Sequence, residues 1–261
     1  MSSNTFNGKR FLLLCKQHFI HNTNFLLLAS VAYVGMVFIV LSVTQVVNGF
    51  RPHELDVFQV FLIGFVIVFG ILYVGHSFPA FRSKESTINY LMVPASVLEK
   101  FVFELMIRIA IMIPTLPVLY WLTFHLQGYV FAIFTDATFQ PIGPEYLVKI
   151  DVPDDYKFLI YTLTAAAALL TLVLAFTGAA IFTKQPLVKT LFSVAVIVMF
   201  YIVYSYLVVT HLGVGRYNPP ETMFLVPTNE AKALGLISIA LIITVAVMLF
   251  VAFRKLKERE V

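Results

Sequence analysis

The chain has 261 residues, 60% of them hydrophobic and only 12% charged, with a formal net charge of +4 and a mean hydropathy of +0.90. A soluble domain carries roughly 25% charged residues, so the composition excludes an ordinary soluble enzyme and points to a polytopic, all-α membrane protein. The single cysteine, Cys15, excludes an intrachain disulfide and is read as an inert thiol.

The chain opens with Phe11, Leu12, Cys15 and Phe19 on one helical stripe and Lys9, Arg10, Lys16 and Gln17 off it. This pattern predicts a helix over about 5–22 that lies in the membrane interface with its apolar side down; a simple anchor reads the same way. Lys9 and Arg10 ahead of an apolar run resemble a signal peptide, but Phe25–Val46 is too long for the hydrophobic core of one and is expected to be a retained span.

Six apolar runs long enough to cross a bilayer follow. They cover about Asn24–Val46, Val57–Phe78, Ser96–Leu126, Tyr156–Phe182, Thr190–Val209 and Ala233–Phe253. They are expected to form one transmembrane domain over 1–261, a six-helix bundle with no appended soluble part.

The basic residues divide unevenly between the two sides. One side collects Lys9, Arg10, Lys16, Arg82, Lys84, Lys100, Lys184, Lys189, Arg254, Lys255, Lys257 and Arg259; the other has Arg51, Lys149, Lys157, Arg216 and Lys232 beside nine acids. Short loops rich in Lys and Arg stay cytoplasmic, so both termini are expected inside, as an even number of spans requires.

Between spans two and three, Ile88, Leu91 and Met92 follow i, i+3, i+4 spacing behind the run Arg82-Ser83-Lys84-Glu85. The spacing predicts a short amphipathic elbow helix along the cytoplasmic surface. Such an elbow either docks a partner or holds two helices apart. Ser96-Val-Leu-Glu99 then fits a capping box, so the third span is expected to start at Ser96, with Pro94 just outside.

Within that span, Glu104 and Arg108 stand at i, i+4, followed by Pro114 and Pro117. Charges in a membrane helix face protein or water and mark a functional path, though a Glu–Arg pair near an interface also serves as plain glue. Proline in such a helix frees a carbonyl and kinks it. In span four, Thr164, Ala168, Thr171, Ala175 and Gly178 form a small-residue stripe that lets another helix approach closely. That helix belongs to this chain or to a second protomer. The stretches 127–155 and 210–232, with Pro141, Pro144, Pro153, Pro219, Pro220 and Pro227, are expected to be outer loops that either carry short interfacial or re-entrant helices or simply cover the bundle.

Several chemistries are missing. His53-Glu54 lacks the second histidine of a zinc-protease motif because Val57 stands in its place, and Gly75-His-Ser77-Phe-Pro79 lacks the last glycine of a nucleophile elbow. No phosphate loop is present, and no histidine cluster suggests a metal or haem.

The run Tyr90-Leu-Met-Val-Pro94-Ala-Ser96-Val-Leu-Glu99-Lys100-Phe is similar to a "YL.LPAS..EK" segment in one bacterial branch of the type-2 exporter permeases of ATP-binding-cassette (ABC) transporters. The layout of the whole chain also resembles that family. The resemblance implies that the elbow is a coupling helix whose Arg82, Ser83, Lys84, Glu85, Ile88 and Asn89 contact a separate cytoplasmic ATPase. That partner would carry the ATP and Mg, with no cofactor in this chain. It further implies a homodimer or a heterodimer with another permease in the bacterial inner membrane, lipid around it, no nucleic acid and no enzymatic role for the chain itself. Ser96 and Glu99 would cap the elbow, while Glu104, Arg108, Pro114 and Pro117 would line or gate a path for an amphiphilic substrate. Two other readings stand beside it: a multipass scaffold or sensor subunit, and an intramembrane lipid-modifying enzyme, for which the spans offer only the Glu104/Arg108 pair.

Overall fold

The computed structural model describes residues 6–49, 55–135, 139–149, 154–211 and 230–259. Every regular element among them is a helix.

Helix α1 (Gly8–Val47) starts where the Asn7 side chain accepts the Lys9 amide N–H at 3.0 Å and stops at Asn48-Gly49, where Gly49 takes φ +70°. An asparagine cap at the start and a left-handed glycine at the end are ordinary stop signals, and no proline interrupts the 40 residues between. The expected interfacial segment and the first span are therefore one unbroken helix. Helix α2 (Leu55–Val74) ends four residues before the expected Phe78: Gly75 begins a turn, Phe78 sits at φ +53° and Pro79 starts a single 3₁₀ turn, Pro79–Arg82. The elbow helix α3 (Lys84–Met92) follows.

The third span has three parts: α4 (Val97–Leu105), a π-helical turn (Met106–Ala110) and α5 (Met112–Phe134). It runs eight residues beyond the expected Leu126 because nothing in 127–134 stops it; the helix breaks at Thr135, which is extended. Short 3₁₀ turns at Pro144–Leu147 and Asp154–Tyr156 precede α6 (Lys157–Ile181), α7 (Pro186–His211) and α8 (Glu230–Arg259). Six of these stretches are long and apolar enough to cross a membrane: Asn22–Val47, Leu55–Val74, Val97–Phe134, Lys157–Ile181, Pro186–Tyr204 and Ala231–Arg259. His53 and Glu54, and most of the stretch 210–232, lie outside the described residues.

The chain forms two compact units, one made of residues 1–74 and 88–151, the other of 75–87 and 152–259. In the first, α1 and the α4–α5 rod run parallel, as first and third spans must. Their pairings climb in step: Arg10 with Glu99, Tyr33 with Leu116, Gln45 with Gln127. Tyr33, Val37, Leu41, Phe58, Leu62, Tyr120 and Phe124 make its core. Apolar burial alone does not separate protein from lipid, so packing and interhelical hydrogen bonds carry the association. Here Phe58 meets Phe124 edge-on at 4.9 Å, the Tyr33 hydroxyl donates to the Leu116 carbonyl at 3.2 Å, and the Tyr120 hydroxyl donates to the Phe58 carbonyl at 3.1 Å. Such bonds average about 0.6 kcal/mol each in membrane helices, and they fix which faces meet. The described part of the stretch after α5 covers this core: Trp121 Nε1 donates to the Ile142 carbonyl at 2.8 Å and Gln59 Nε2 to the Lys149 carbonyl at 3.0 Å.

In the second unit, α6 packs on α8 and α7. Of the small-residue stripe, Ala175 and Gly178 are buried, whereas Thr164 and Ala168 face outward and Ala166 takes the inner position instead. Gly178 lies so close to Thr190 of α7 that a Cβ there would overlap the threonine side chain. Gly178→Ala is expected to push α7 outward and destabilise by about 1–3 kcal/mol, the range for overpacking. The check is an unfolding titration in mixed micelles, with Thr190→Ala restoring stability in the double variant.

Most of α7 presents apolar side chains outward, among them Phe192, Phe200 and Tyr201 at 70, 68 and 70% exposure. This is the surface a helix in lipid offers.

Candidate functional site

The most unusual chemistry lies on α4 and the π turn. Glu99, Lys100, Glu104 and Arg108 are all buried, Glu99 completely, within ten residues of helix. The sequence places Lys100, Glu104 and Arg108 at successive i, i+4 positions, so each charge stands roughly above the last.

Glu99 begins the series. Ser96 Oγ accepts the Glu99 amide N–H at 3.2 Å, and the Ser96 amide donates back to Glu99 Oε2 at 2.8 Å, completing the capping box. The other carboxylate oxygen is also engaged: Oε1 accepts the Asn7 backbone N–H at 2.6 Å and Arg10 Nη2 at 3.1 Å. One carboxylate therefore caps α4 and tethers the start of α1. Sequence reasoning found the cap because its partners are three residues apart. It missed Asn7 and Arg10, which lie 92 and 89 residues away and carry no local signal.

Lys100 lies 4.7 Å from the centre of the Tyr90 ring, tying the end of the elbow helix to α4 by a cation–π contact. Arg108 Nε donates to Glu104 Oε2 at 3.4 Å, and its guanidinium covers the Tyr73 ring of α2 at 4.8 Å. The pair is thus held within protein, between α4 and α2. Arg108 sits inside the π turn, where the Ile111 amide reaches back five residues to the Met106 carbonyl at 3.0 Å. π turns frequently accompany functional sites. Downstream, Pro114 is exposed and Pro117 half-buried within α5, so the two prolines do not join the charged cluster.

His18 of α1 stands edge-on to Phe103 of α4 at 5.3 Å. Desolvation, reinforced by the positive Arg108, holds its imidazole below the ordinary value of 6.5. The unfolded chain therefore takes up a proton first. The His18 contribution to stability is complete above pH 6.5 and is lost as pH falls from there through its folded-state value. Unfolding midpoints at pH 7.5 and 5.5 should fall with acid in the parent protein and fall less in His18→Gln.

The elbow itself carries Arg82, Ser83, Lys84, Glu85 and Ile88 on its exposed side. Asn89 is helical, but its side chain lies outside the described residues. Thr87 Oγ1 donates to the carbonyls of Ser83 at 2.8 Å and Ala80 at 3.0 Å, pinning the elbow to the preceding 3₁₀ turn. Phe78 holds its left-handed backbone with a buried ring that packs at a tilt 5.0 Å from Phe176.

A second polar pair went unnoticed in the sequence. Gln127 Nε2 donates to Gln45 Oε1 at 2.6 Å, both residues are buried, and Gln127 Oε1 has no hydrogen-bond partner among the described residues. Gln127 lay just past the expected end of span three, so it was counted with the loop. Among the described residues no three of His, Cys, Asp and Glu gather where a metal ion would fit.

Fold and site together define an all-helical protein with six helices long and apolar enough to cross a membrane, and a buried charged cluster on the third. Comparison with protein-family profiles, curated proteins and solved structures finds no match to the chain.

Proposed function

We propose that the chain is the transmembrane permease subunit of an ABC exporter in the bacterial cytoplasmic membrane, with both termini inside and a separate ATPase subunit supplying ATP and Mg. The observation that carries this reading is the continuity from exposed elbow to buried charge. Arg82, Lys84 and Glu85 are exposed, and the far end of the elbow helix meets α4 through Tyr90 and Lys100. A push on the elbow would reach α4, and with it Glu99 and the Glu104/Arg108 pair, through the Tyr90–Lys100 contact. In a dimer of two such subunits, closure of the partner ATPases would move both elbows inward and rock the helices between inward- and outward-facing states. The chain itself performs no catalysis in this scheme.

The test is co-purification and transport. A stand-alone ABC ATPase should purify with the chain, and Arg82→Glu with Lys84→Glu should uncouple ATP hydrolysis from export while leaving the fold intact. Export that survives the charge reversal, with no ATPase attached to the parent chain, rejects the proposal.

A further inference from the structure

We propose that the outward face of the third span, at Ala110, Ile113 and Pro114, lines a water-filled notch at mid-depth in the membrane. The depth follows from α2, whose 20 residues extend about 30 Å, the thickness of the hydrocarbon. Arg108 meets the Tyr73 ring near one end of α2, and the Tyr120 hydroxyl meets the Phe58 carbonyl near the other. Residues 110–114 fall between those two levels. Tyr33, near the middle of the stretch Asn22–Val47, reaches the Leu116 carbonyl and gives the same depth.

Backbone hydrogen bonds do not balance at this level. The Ile111 amide goes back to the Met106 carbonyl, and the Thr115 amide goes to the Ile111 carbonyl. Between those amides only Met112 and Ile113 carry an N–H, because residue 114 is proline. The four carbonyls of Ile107, Arg108, Ile109 and Ala110 therefore compete for two amides, and two of them go without a helix donor of their own. The π turn is already counted in this tally and does not restore the balance. Pro117 removes the donor of the Ile113 carbonyl in the same way. A threonine hydroxyl can fill such a gap. Thr115 Oγ1 instead donates to Ile111 at 2.7 Å, a carbonyl that its own amide already serves.

An uncompensated carbonyl in a bilayer core is costly, and such backbone persists where protein covers it or water reaches it. Protein of this chain does not cover it. A helix carbonyl lies against the residues three and four positions on, which for Ala110 are Ile113 and Pro114. Ile113 is 44% exposed, and Ala110, Pro114 and Thr115 are exposed as well, while Met112 faces inward. Water is favoured over a second copy of the chain for two reasons. The bulky Ile111 and Ile113 oppose the close approach that small residues permit. Thr171 and Thr244, hydroxyls that a second copy would bring to this depth, donate to their own helices. A hydrated notch gives a polar group passage beside the apolar core, next to the Glu104/Arg108 pair. The inference needs only that the third span crosses a membrane.

The experiment uses the full chain in lipid nanodiscs, where both membrane faces are open to reagent. In a Cys15→Ser background, Ala110→Cys and Ile113→Cys are compared with Val31→Cys and Ile63→Cys, exposed positions near the middle of helices without proline. The reagent is a charged methanethiosulfonate sulfonate. Because only the thiolate reacts, and apolar surroundings suppress it, the first pair should be modified about 10-fold or more faster than the second. On the parent chain, amide hydrogen exchange over 110–113 should run about 10-fold or more ahead of 62–65 in α2, a comparison that needs no variant. Labelling of Ala110→Cys and Ile113→Cys as slow as at the comparison sites overturns the proposal and leaves the face in lipid. Slow labelling with ready disulfide linkage of Ile113→Cys between copies overturns it in favour of a second subunit. Exchange over 110–113 no faster than in the middle of α2 overturns it too. An absent ATPase would sink the exporter reading and leave these contrasts untouched.

Discussion

Glu99→Ala is expected to destabilise the protein by about 3 kcal/mol, the lower end of the range for breaking a buried ion pair. The lower end applies because Arg10 keeps 26% of its side chain exposed and regains some solvation once released. The loss is compound: the variant removes the cap of α4, strands the Ser96 and Asn7 amides, and frees the start of α1. Unfolding in a mixed-micelle denaturant titration measures the total. A double-variant cycle with Arg10→Met isolates the ion-pair share, which should be the smaller part, since two backbone amides also depend on this carboxylate. If Glu99→Ala unfolds at the parent midpoint, the tether contributes nothing and the N-terminal residues rest on α4 without holding it.

Arg108→Met should cost about 3–5 kcal/mol, because it strips the guanidinium from a carboxylate that is 8% exposed. Replacing both partners, Glu104→Leu with Arg108→Met, should cost clearly less than the single change, since well-packed apolar residues often substitute for a buried pair without penalty. The double variant also separates the two roles left open for these residues. If the chain is the exporter subunit proposed above, stable protein that still exports substrate marks the pair as structural glue. Stable protein without export marks it as part of the path.

What could be read from the sequence was what repeats or caps locally. Hydropathy runs placed six helices, and Ser96-x-x-Glu99 placed the start of α4, because each depends on residues a few positions apart. The beginning and end of the runs were less legible. Span three continued through Gln127 to Phe134 because helix continuation needs only the absence of a stop, and polar residues near a membrane surface do not provide one. The π turn was hidden because Glu104 and Arg108 stand at ordinary i, i+4 spacing in the sequence, and the extra backbone residue per turn leaves no mark in residue type. The Asn7 and Arg10 contacts of Glu99, the Gln45–Gln127 pair and the Arg259–Phe81 contact join residues 82 or more positions apart, or depend on which side of a helix faces protein rather than lipid. A composition this apolar makes those two sides nearly indistinguishable. Ala168 illustrates the difficulty, for it belongs to the small-residue stripe yet faces outward while Ala166 is enclosed.

One consequence of the first helix remains. At 1.5 Å per residue its 40 residues extend about 60 Å, twice the hydrocarbon thickness of a bilayer. A beam of that span, free of proline and fastened to its neighbour near both extremities and at midheight, has no knuckle at which to dissipate a twist. The contacts of Arg10, Tyr33 and Gln45 are therefore strung along one continuous rod.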